Sequence, residues 1–338
     1  WTSGQNIPIA ANVAHTLTFA AKIDGKLKNG VKAVITYKDA NGSVLGSIEL
    51  VNNRKSTIAP PSNLSVQADA LVYAVTGDIT YARKAKERIY LRLNDFLQGA
   101  EHWLVNDSRP DNIDAYGKVQ GGRVASIVAS ALTFIKDSGV YSEEEHQDLI
   151  SKLNYMNLFL NDVRDRSELD DYSVQLGASN WESDAVLGAS MLSMVYPELG
   201  NSKQLIANAN KLIKAQLQYA LGTEGEWPES IRYHVAVLQR FAAYAKSLRN
   251  QTGEDWFALP QLVKMFQYNA DVQTPPYAYA DGYINSPIFG DDVMTFGNEF
   301  ALLGVYDDEV ARSNGPLASK MYQTWVKAGS RLPANGAE

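Results

Sequence analysis

The sequence predicts a mainly α-helical protein, an incomplete (α/α) toroid or barrel with a small β segment at its N-terminal end. Alternation of apolar and polar residues is confined to residues 8–51, where it indicates strands. From about residue 64 onward, apolar residues recur with the helical period instead. No motif repeats at a fixed spacing, which disfavours a TPR or HEAT solenoid and favours a closed or partly closed ring of helical hairpins.

The N-terminal β segment, residues 1–58, is interpreted as the end or cap of a β-sandwich-like domain. Its clearest feature is Asp39-Ala40-Asn41-Gly42, a turn sequence typical of a β-hairpin, between two alternating stretches. Similar patterns occur in carbohydrate-binding sandwiches, but a structural cap is the favoured interpretation. Residues 59–63, which include Pro60-Pro61, are predicted as a linker. Residues 64–338 then form the predicted toroid domain.

The helical part reads as antiparallel hairpins joined mostly by short loops. The predicted helices lie near residues 64–75, 80–105, 121–138, 142–163, 181–195, 201–221, 230–250, 256–270, 296–304 and 307–328. Longer loops are expected at residues 106–120, 164–180, 222–229 and 272–292, and they hold most of the Trp, Tyr, Asp and Asn residues. Because the loops at one rim of such a ring form its site, we expect the functional residues there.

Composition excludes several classes of function. The 338 residues are 45% hydrophobic and 20% charged, as in a globular protein, and no apolar run is long enough for a membrane span. The net charge of −7 disfavours nucleic acid and heavily sulfated polymers as partners. The absence of cysteine excludes disulfides and thiolate metal sites. Trp1 is not an initiator Met, so we expect the chain to be part of a longer protein.

Neither a metal centre nor a common nucleophile is predicted. The histidines are widely separated and form no HExxH pair, and no GxSxG motif occurs. Asp170-Asp171 and Asp291-Asp292 offer the oxygen ligands that a structural Ca²⁺ uses, but neither pair has EF-hand spacing. Gly117–Arg123, "GKVQGGR", follows no clear strand and is interpreted as the turn that begins a helix, not as a P-loop. We therefore expect no required cofactor.

The first candidate segment is the start of the helix near Trp181. Asn180 is a favoured N-cap residue, and capping alone is a sufficient explanation for it. Trp181 and Glu182 follow at the same helix end. Together they could present an amide donor, a stacking surface and a carboxylate to a sugar.

The second candidate segment is "WPESIRYH", residues 227–234. Trp227, Glu229 and Arg232 precede Tyr233 and His234, two side chains that can transfer protons. Arg232 is suited to binding a carboxylate. The alternative is an ordinary amphipathic helix end, which for Tyr233 and His234 alone is the more common outcome.

The third candidate segment is the Tyr- and Gly-rich loop of residues 275–300. Tyr283 and the pair Asp291-Asp292 are its candidate binding residues. A long loop without secondary structure inside a compact domain is usually functional, and a packed Ω-loop is the alternative.

These segments occur in the order Asn-Trp, then W-P-E-S-x-x-Y-H, then P-x-x-G-D-D. In that order they resemble the helical domain of the heparinase II/III-like polysaccharide lyases, over roughly residues 64–328. The resemblance implies β-elimination on a uronic-acid polysaccharide, with Asn180 neutralising the substrate carboxylate and Tyr233 acting as base, acid or both. His234 is the third implied catalytic residue, and the remaining candidates would bind substrate. Many members have His where this chain has Trp181, and some use a residue from a C-terminal β-sandwich.

Two other classes of function remain open. An (α/α)-barrel glycoside hydrolase would need two carboxylates across the cleft, drawn from Glu182, Glu229, Asp291 and Asp292. A non-catalytic glycan-binding or surface-layer module would keep the aromatic loops without turnover. The lyase is the leading hypothesis, with an acidic polysaccharide as partner, a bacterial secreted or cell-surface location, and further β-sandwich domains beyond these residues.

Overall fold

Helices dominate the computed structural model, which describes residues 33–38, 44–50, 63–106, 117–160, 180–276, 278, 281–290 and 298–331. The helices are α1 Asn63–Thr76, α2 Ile79–Asn106, α3 Gly117–Ile135, α4 Glu143–Leu160, α5 Asn180–Val195, α6 Ser202–Tyr219, α7 Ile231–Thr252, α8 Pro260–Asp271, α9 Ala301–Ala311 and α10 Gly315–Lys327. Short 3-10 turns lie at Trp256–Ala258 and Asn298–Phe300. None of the helices within these ranges is long and apolar enough to cross a membrane.

Two strands form an antiparallel hairpin, β1 Ala33–Lys38 and β2 Val44–Leu50. In the register of this hairpin Ala33 pairs with Leu50 and Ile35 with Ile48. The predicted Asp39–Gly42 turn falls between these strands in the sequence, outside the described residues. Residues 15–23, which belong to the same alternating N-terminal segment, also lie outside them.

Helix α5 lies between two hydrophobic cores. One core draws its side chains mainly from α1 to α5, with Leu205 of α6, and the other draws them from α5 to α10. Ala185 and Leu192 of α5 belong to the first core, Val186 and Leu187 to the second. Every residue from 183 to 190 is buried, as expected for a helix enclosed on all sides. The N-terminal end of α5 is therefore held from both directions.

Helices α3 and α5 cross at glycine. A Cβ atom on Gly122 would lie 2.0 Å from the backbone oxygen of Asp184, and one on Gly188 would lie 2.3 Å from the backbone oxygen of Gly122. No side chain fits at such a distance, so the crossing requires glycine at both positions. The segment "GKVQGGR", predicted as the turn that begins a helix, is itself the first part of helix α3, and its Gly122 lies at this crossing.

Two of the differences between the predicted and observed helix boundaries have a clear local cause. The predicted helix at 256–270 is a 3-10 turn followed by α8, because Pro260 begins α8 and cannot extend a preceding helix. The last hairpin breaks at Ser313-Asn314, later than predicted. There the Asn314 side chain accepts a hydrogen bond from the backbone N–H of Leu317 at 3.1 Å, and Pro316 occupies the first turn.

Candidate active site

Asn180 is the first residue of α5 and joins this helix to the segment that precedes α7. Its Nδ2 atom lies 3.1 Å from both carboxylate oxygens of Glu229. Asn180 is only 4% exposed, whereas Glu229 is exposed. The amide therefore projects its N–H group from the interior toward the surface at Glu229.

A buried tryptophan holds the same carboxylate from another side. The Trp227 indole Nε1–H donates to Oε2 of Glu229 at 2.5 Å. Trp227 is 3% exposed and packs edge-on against Phe241, with ring centroids 6.3 Å apart. Its ring is thus part of the core, and this burial does not favour direct contact between the Trp227 ring and a substrate, its predicted role.

Tyr233 lies in the first turn of α7. Ser230 caps the helix, because its side-chain oxygen accepts a hydrogen bond from the Tyr233 backbone N–H at 3.4 Å. The Tyr233 side chain is half-buried and packs against the second core, while Arg232 is exposed with its guanidinium 6.0 Å from the Tyr233 ring centroid. Tyr233 thus follows Glu229, the partner of Asn180, by four residues across the start of α7.

His234 points into the protein, away from this group. It is 0% exposed; its Nδ1 accepts from the backbone N–H of Trp227 at 3.2 Å, and its Nε2 lies 3.2 Å from the carbonyl oxygen of Met265. These partners specify the neutral tautomer with the proton on Nε2. Burial lowers the pKa of His234 to about 4. This burial and these contacts favour a structural role for His234, and its predicted catalytic role stays a prediction.

The third predicted segment reaches the site through Gly290. A Cβ atom on Gly290 would lie 3.5 Å from Cβ of Ser230 and 3.7 Å from the backbone oxygen of Glu229. Tyr283 is exposed but lies beside Gly329, past the end of α10. Asp170-Asp171 and Asp291-Asp292, together with the side chains of Trp181 and Glu182, lie outside the described residues.

An ion-pair group beneath Asn180 was not predicted from the sequence. Asp184, 3% exposed, accepts from the Arg123 Nε at 3.2 Å and from the Arg240 Nε. Burial raises the pKa of the Asp184 carboxyl, and the two guanidiniums oppose that shift. Burial lowers the pKa of Arg240, and the carboxylates of Asp184 and Glu229 oppose that shift.

Spacing places two members of this group on the helix faces of the candidate residues, but it does not predict that they meet. Asp184 lies four residues after Asn180, and Arg240 lies seven after Tyr233, so each shares a helix face with a candidate residue. The Arg240–Asp184 ion pair consequently links α7, which carries Tyr233, to α5, which carries Asn180.

Within the described residues, no group of three or more His, Asp or Glu side chains is arranged to hold a metal ion. The polar groups that meet here are an amide, a carboxylate and an indole N–H, and the phenol of Tyr233 follows Glu229 by four residues in the chain. Such a set can bind an acidic or hydroxyl-rich ligand and can transfer a proton.

The fold is similar to that of a known lyase. A heparan sulfate lyase, HepC from Pedobacter heparinus, matches with a TM-score of 0.50 and 17% identity, over 77% of this chain and 37% of the lyase. A mutant of the same lyase matches with a TM-score of 0.47 and 17% identity, over 82% of this chain and 42% of the mutant. This chain thus spans less than half of the length of each of those proteins. No protein-family model matches it, and no curated protein sequence is significantly similar.

The likeness to HepC concerns the fold. It confirms the predicted mainly α toroid, and it confirms at the level of fold the resemblance to the heparinase II/III-like lyases. The predicted division at residues 59–63 stays a prediction.

Proposed function

We propose that this chain carries the helical catalytic domain of a polysaccharide lyase, which cleaves a uronic-acid polysaccharide by β-elimination. The observation that carries the proposal is the hydrogen bond between Asn180 and Glu229, which joins the start of α5 to the segment preceding Tyr233. The toroid fold, similar to that of a heparan sulfate lyase, supports the same reaction class.

Asn180 would neutralise the substrate carboxylate. The proton on C5 of a uronate is a poor acid because the adjacent carboxylate is negative, so its removal builds further charge on the same group. An N–H donor aimed at that carboxylate stabilises the enolate-like transition state. Asn180 has the required donor group, on a helix that both cores hold in place.

Tyr233 would perform the proton transfers. Its phenolate takes the C5 proton, the C5–H electron pair forms the C4=C5 double bond, and the C4–O4 bond breaks. The departing O4 then takes a proton from the phenol, which returns the phenolate to its starting form. The position of Tyr233 in the first turn of α7, four residues after Glu229 in the chain, supports this role.

The carboxylates at the site favour elimination over hydrolysis. Glycoside hydrolysis requires a protonated carboxyl group as general acid. Glu229 instead accepts hydrogen bonds from two donors, and Asp184 is buried between two arginines. Glu229 is therefore unsuited to donate a proton to a leaving oxygen, and of the hydrolase candidates it is the one whose side chain the structure describes.

The net charge of −7 favours a sparsely charged uronate polymer over a heavily sulfated one. A polysaccharide substrate lies outside the bacterial cell, so we propose a secreted or cell-surface location for this protein. Further β-sandwich domains in the full protein are part of the same proposal.

The test is a panel of uronate polysaccharides, sulfated and unsulfated, incubated with the protein and followed by ultraviolet absorbance of the unsaturated uronate. A rise in absorbance with at least one polymer is expected. New reducing ends without that absorbance would indicate a hydrolase, and calorimetric binding without any product would indicate a glycan-binding module. Either result would overturn the proposal.

A further inference from the structure

We propose that Glu229 is a positioning residue that fixes which end of the Asn180 side-chain amide faces the substrate. This inference rests on the proposed function, because it assigns Glu229 a role in carboxylate neutralisation by Asn180. Glu229 does so without touching the reacting atoms itself.

The first step is the orientation of the amide. An asparagine side chain can present either its oxygen or its N–H₂ group after a half-turn about its last bond. A carboxylate only accepts hydrogen bonds, so Glu229 selects the orientation in which the N–H₂ group of Asn180 faces it. Nδ2 lies 3.1 Å from each carboxylate oxygen, so one N–H is directed between them and the second remains for another acceptor.

The second step is the direction in which the N–H₂ group of Asn180 points. Asn180 is buried and Glu229 is exposed, so the selected orientation turns the donor end of the amide outward. The opposite orientation would present the amide oxygen to a substrate carboxylate and repel it. A fixed outward donor needs no reorganisation when charge develops in the transition state.

The third step is the anchor of Glu229 itself. Its Oε2 atom accepts from the buried Trp227 indole at 2.5 Å, so the carboxylate is held on a side chain that belongs to the core. If Glu229 is replaced by glutamine, the side chain has a single oxygen. That oxygen would accept the hydrogen bond from the buried Trp227 indole N–H. Its amide N–H₂ would then face Asn180 and drive the Asn180 oxygen toward it.

Glu229→Gln is therefore the informative variant, because it keeps the shape and changes only the acceptor. Glu224→Gln is the matched control: it removes the same charge from an exposed position in the same loop. Using wild type, E229Q and E224Q, we would measure kcat and KM on the polymer that gives unsaturated product. In parallel we would record the ¹⁵N–¹H₂ resonances of Asn180, assigned by their absence from an Asn180→Asp spectrum.

In E229Q we expect kcat to fall about 100-fold, as for loss of one preorganised donor, with KM within about threefold of wild type. The Asn180 resonances should shift in E229Q and keep their positions in E224Q. A lower KM with unchanged kcat would overturn the proposal, since Glu229 would then merely compete with substrate for Asn180. Unshifted Asn180 resonances in E229Q would overturn it as well.

The two proposals fail in different ways. If wild type forms no unsaturated product on any polymer, the lyase function fails, while the resonances of Asn180 still decide whether Glu229 orients the amide. If wild type is active and E229Q retains its kcat, the function stands and the positioning role fails. Thermal unfolding of E229Q and E224Q checks that both variants are folded.

Discussion

The backbone N–H of Trp227 donates to Nδ1 of His234 across 3.2 Å, so the two ends of the WPESIRYH segment are joined to each other. The Nε2 of the same ring is bonded to Met265 of α8. His234 thus fixes the loop that carries Glu229 while Tyr233, the residue before it, faces another direction. Consecutive helical residues point about 100° apart, so one can be a core residue and the next a site residue.

We predict that His234 makes stability depend on pH. Its pKa is lowered to about 4 in the folded protein, against 6.5 as the ordinary value. Between these values the unfolded chain binds the proton and the folded chain does not, so stability falls as pH falls through this window. The loss is roughly 3 kcal/mol when complete. Chemical denaturation at a series of pH values from 4 to 7 measures it.

The control for this pH dependence is a comparison of variants. His234→Gln should lose this part of the pH dependence, whereas His146→Gln, a change at a half-buried ring beside Tyr196, should keep it. Carboxylates contribute equally to all three proteins, so the difference isolates His234. Equal slopes for wild type and His234→Gln would show that His234 is not held neutral.

Removing the Tyr233 hydroxyl should abolish most turnover. Tyr233→Phe keeps the ring that packs on the second core, so the fold should survive while kcat falls by about 100-fold or more. The measurement is the rate at which unsaturated product forms on the polymer of the panel that the wild-type protein cleaves. Tyr219→Phe, at an exposed tyrosine at the end of α6, should retain full activity. Full activity of Tyr233→Phe would remove Tyr233 from the mechanism.

Asp184→Asn should destabilise the protein strongly. It leaves Arg123 and Arg240 without their buried counter-charge, a change that typically costs about 3–5 kcal/mol. Thermal or urea unfolding measures the loss. Asp137→Asn removes an equal charge from a side chain that is 82% exposed and pairs with Lys136, and it should change stability by less than about 1 kcal/mol. Similar effects for both variants would contradict a structural role for the Asp184 group.

Gly122→Ala should also destabilise, because its methyl group meets the backbone of α5 and not a movable side chain. We expect a cost of about 2 kcal/mol or more from forced separation of α3 and α5. Gly315→Ala is the control, since a Cβ atom there meets nothing within 4 Å. Unchanged unfolding of Gly122→Ala would mean that the two helices are less closely packed than described.

The sequence predicted the helices well because their apolar residues recur with the helical period, which is a local property. It missed the break at Ser313-Asn314, where a capping side chain and Pro316 outweigh a nearly continuous apolar pattern. The pairing of Asn180 with the WPESIRYH segment was expected from motif order, and the structure joins the two through Glu229.

What escaped prediction depends on long-range contacts. Trp227 and His234 have the chemistry of site residues, and only three-dimensional packing reveals that both are buried. The partners of Asp184 lie 61 and 56 positions away in the chain. No spacing rule in a single sequence predicts that two such arginines meet one carboxylate.

The position of α5 between two cores determines how the chain can come apart. A fragment that ends before α5 would leave apolar faces of α1 to α4 in water, and one that begins after it would do the same to α6 to α10. The two halves therefore unfold together, as a single cooperative unit. The backbone amides of α5 should consequently be among the slowest in the protein to exchange with deuterium, opening only when the whole domain does.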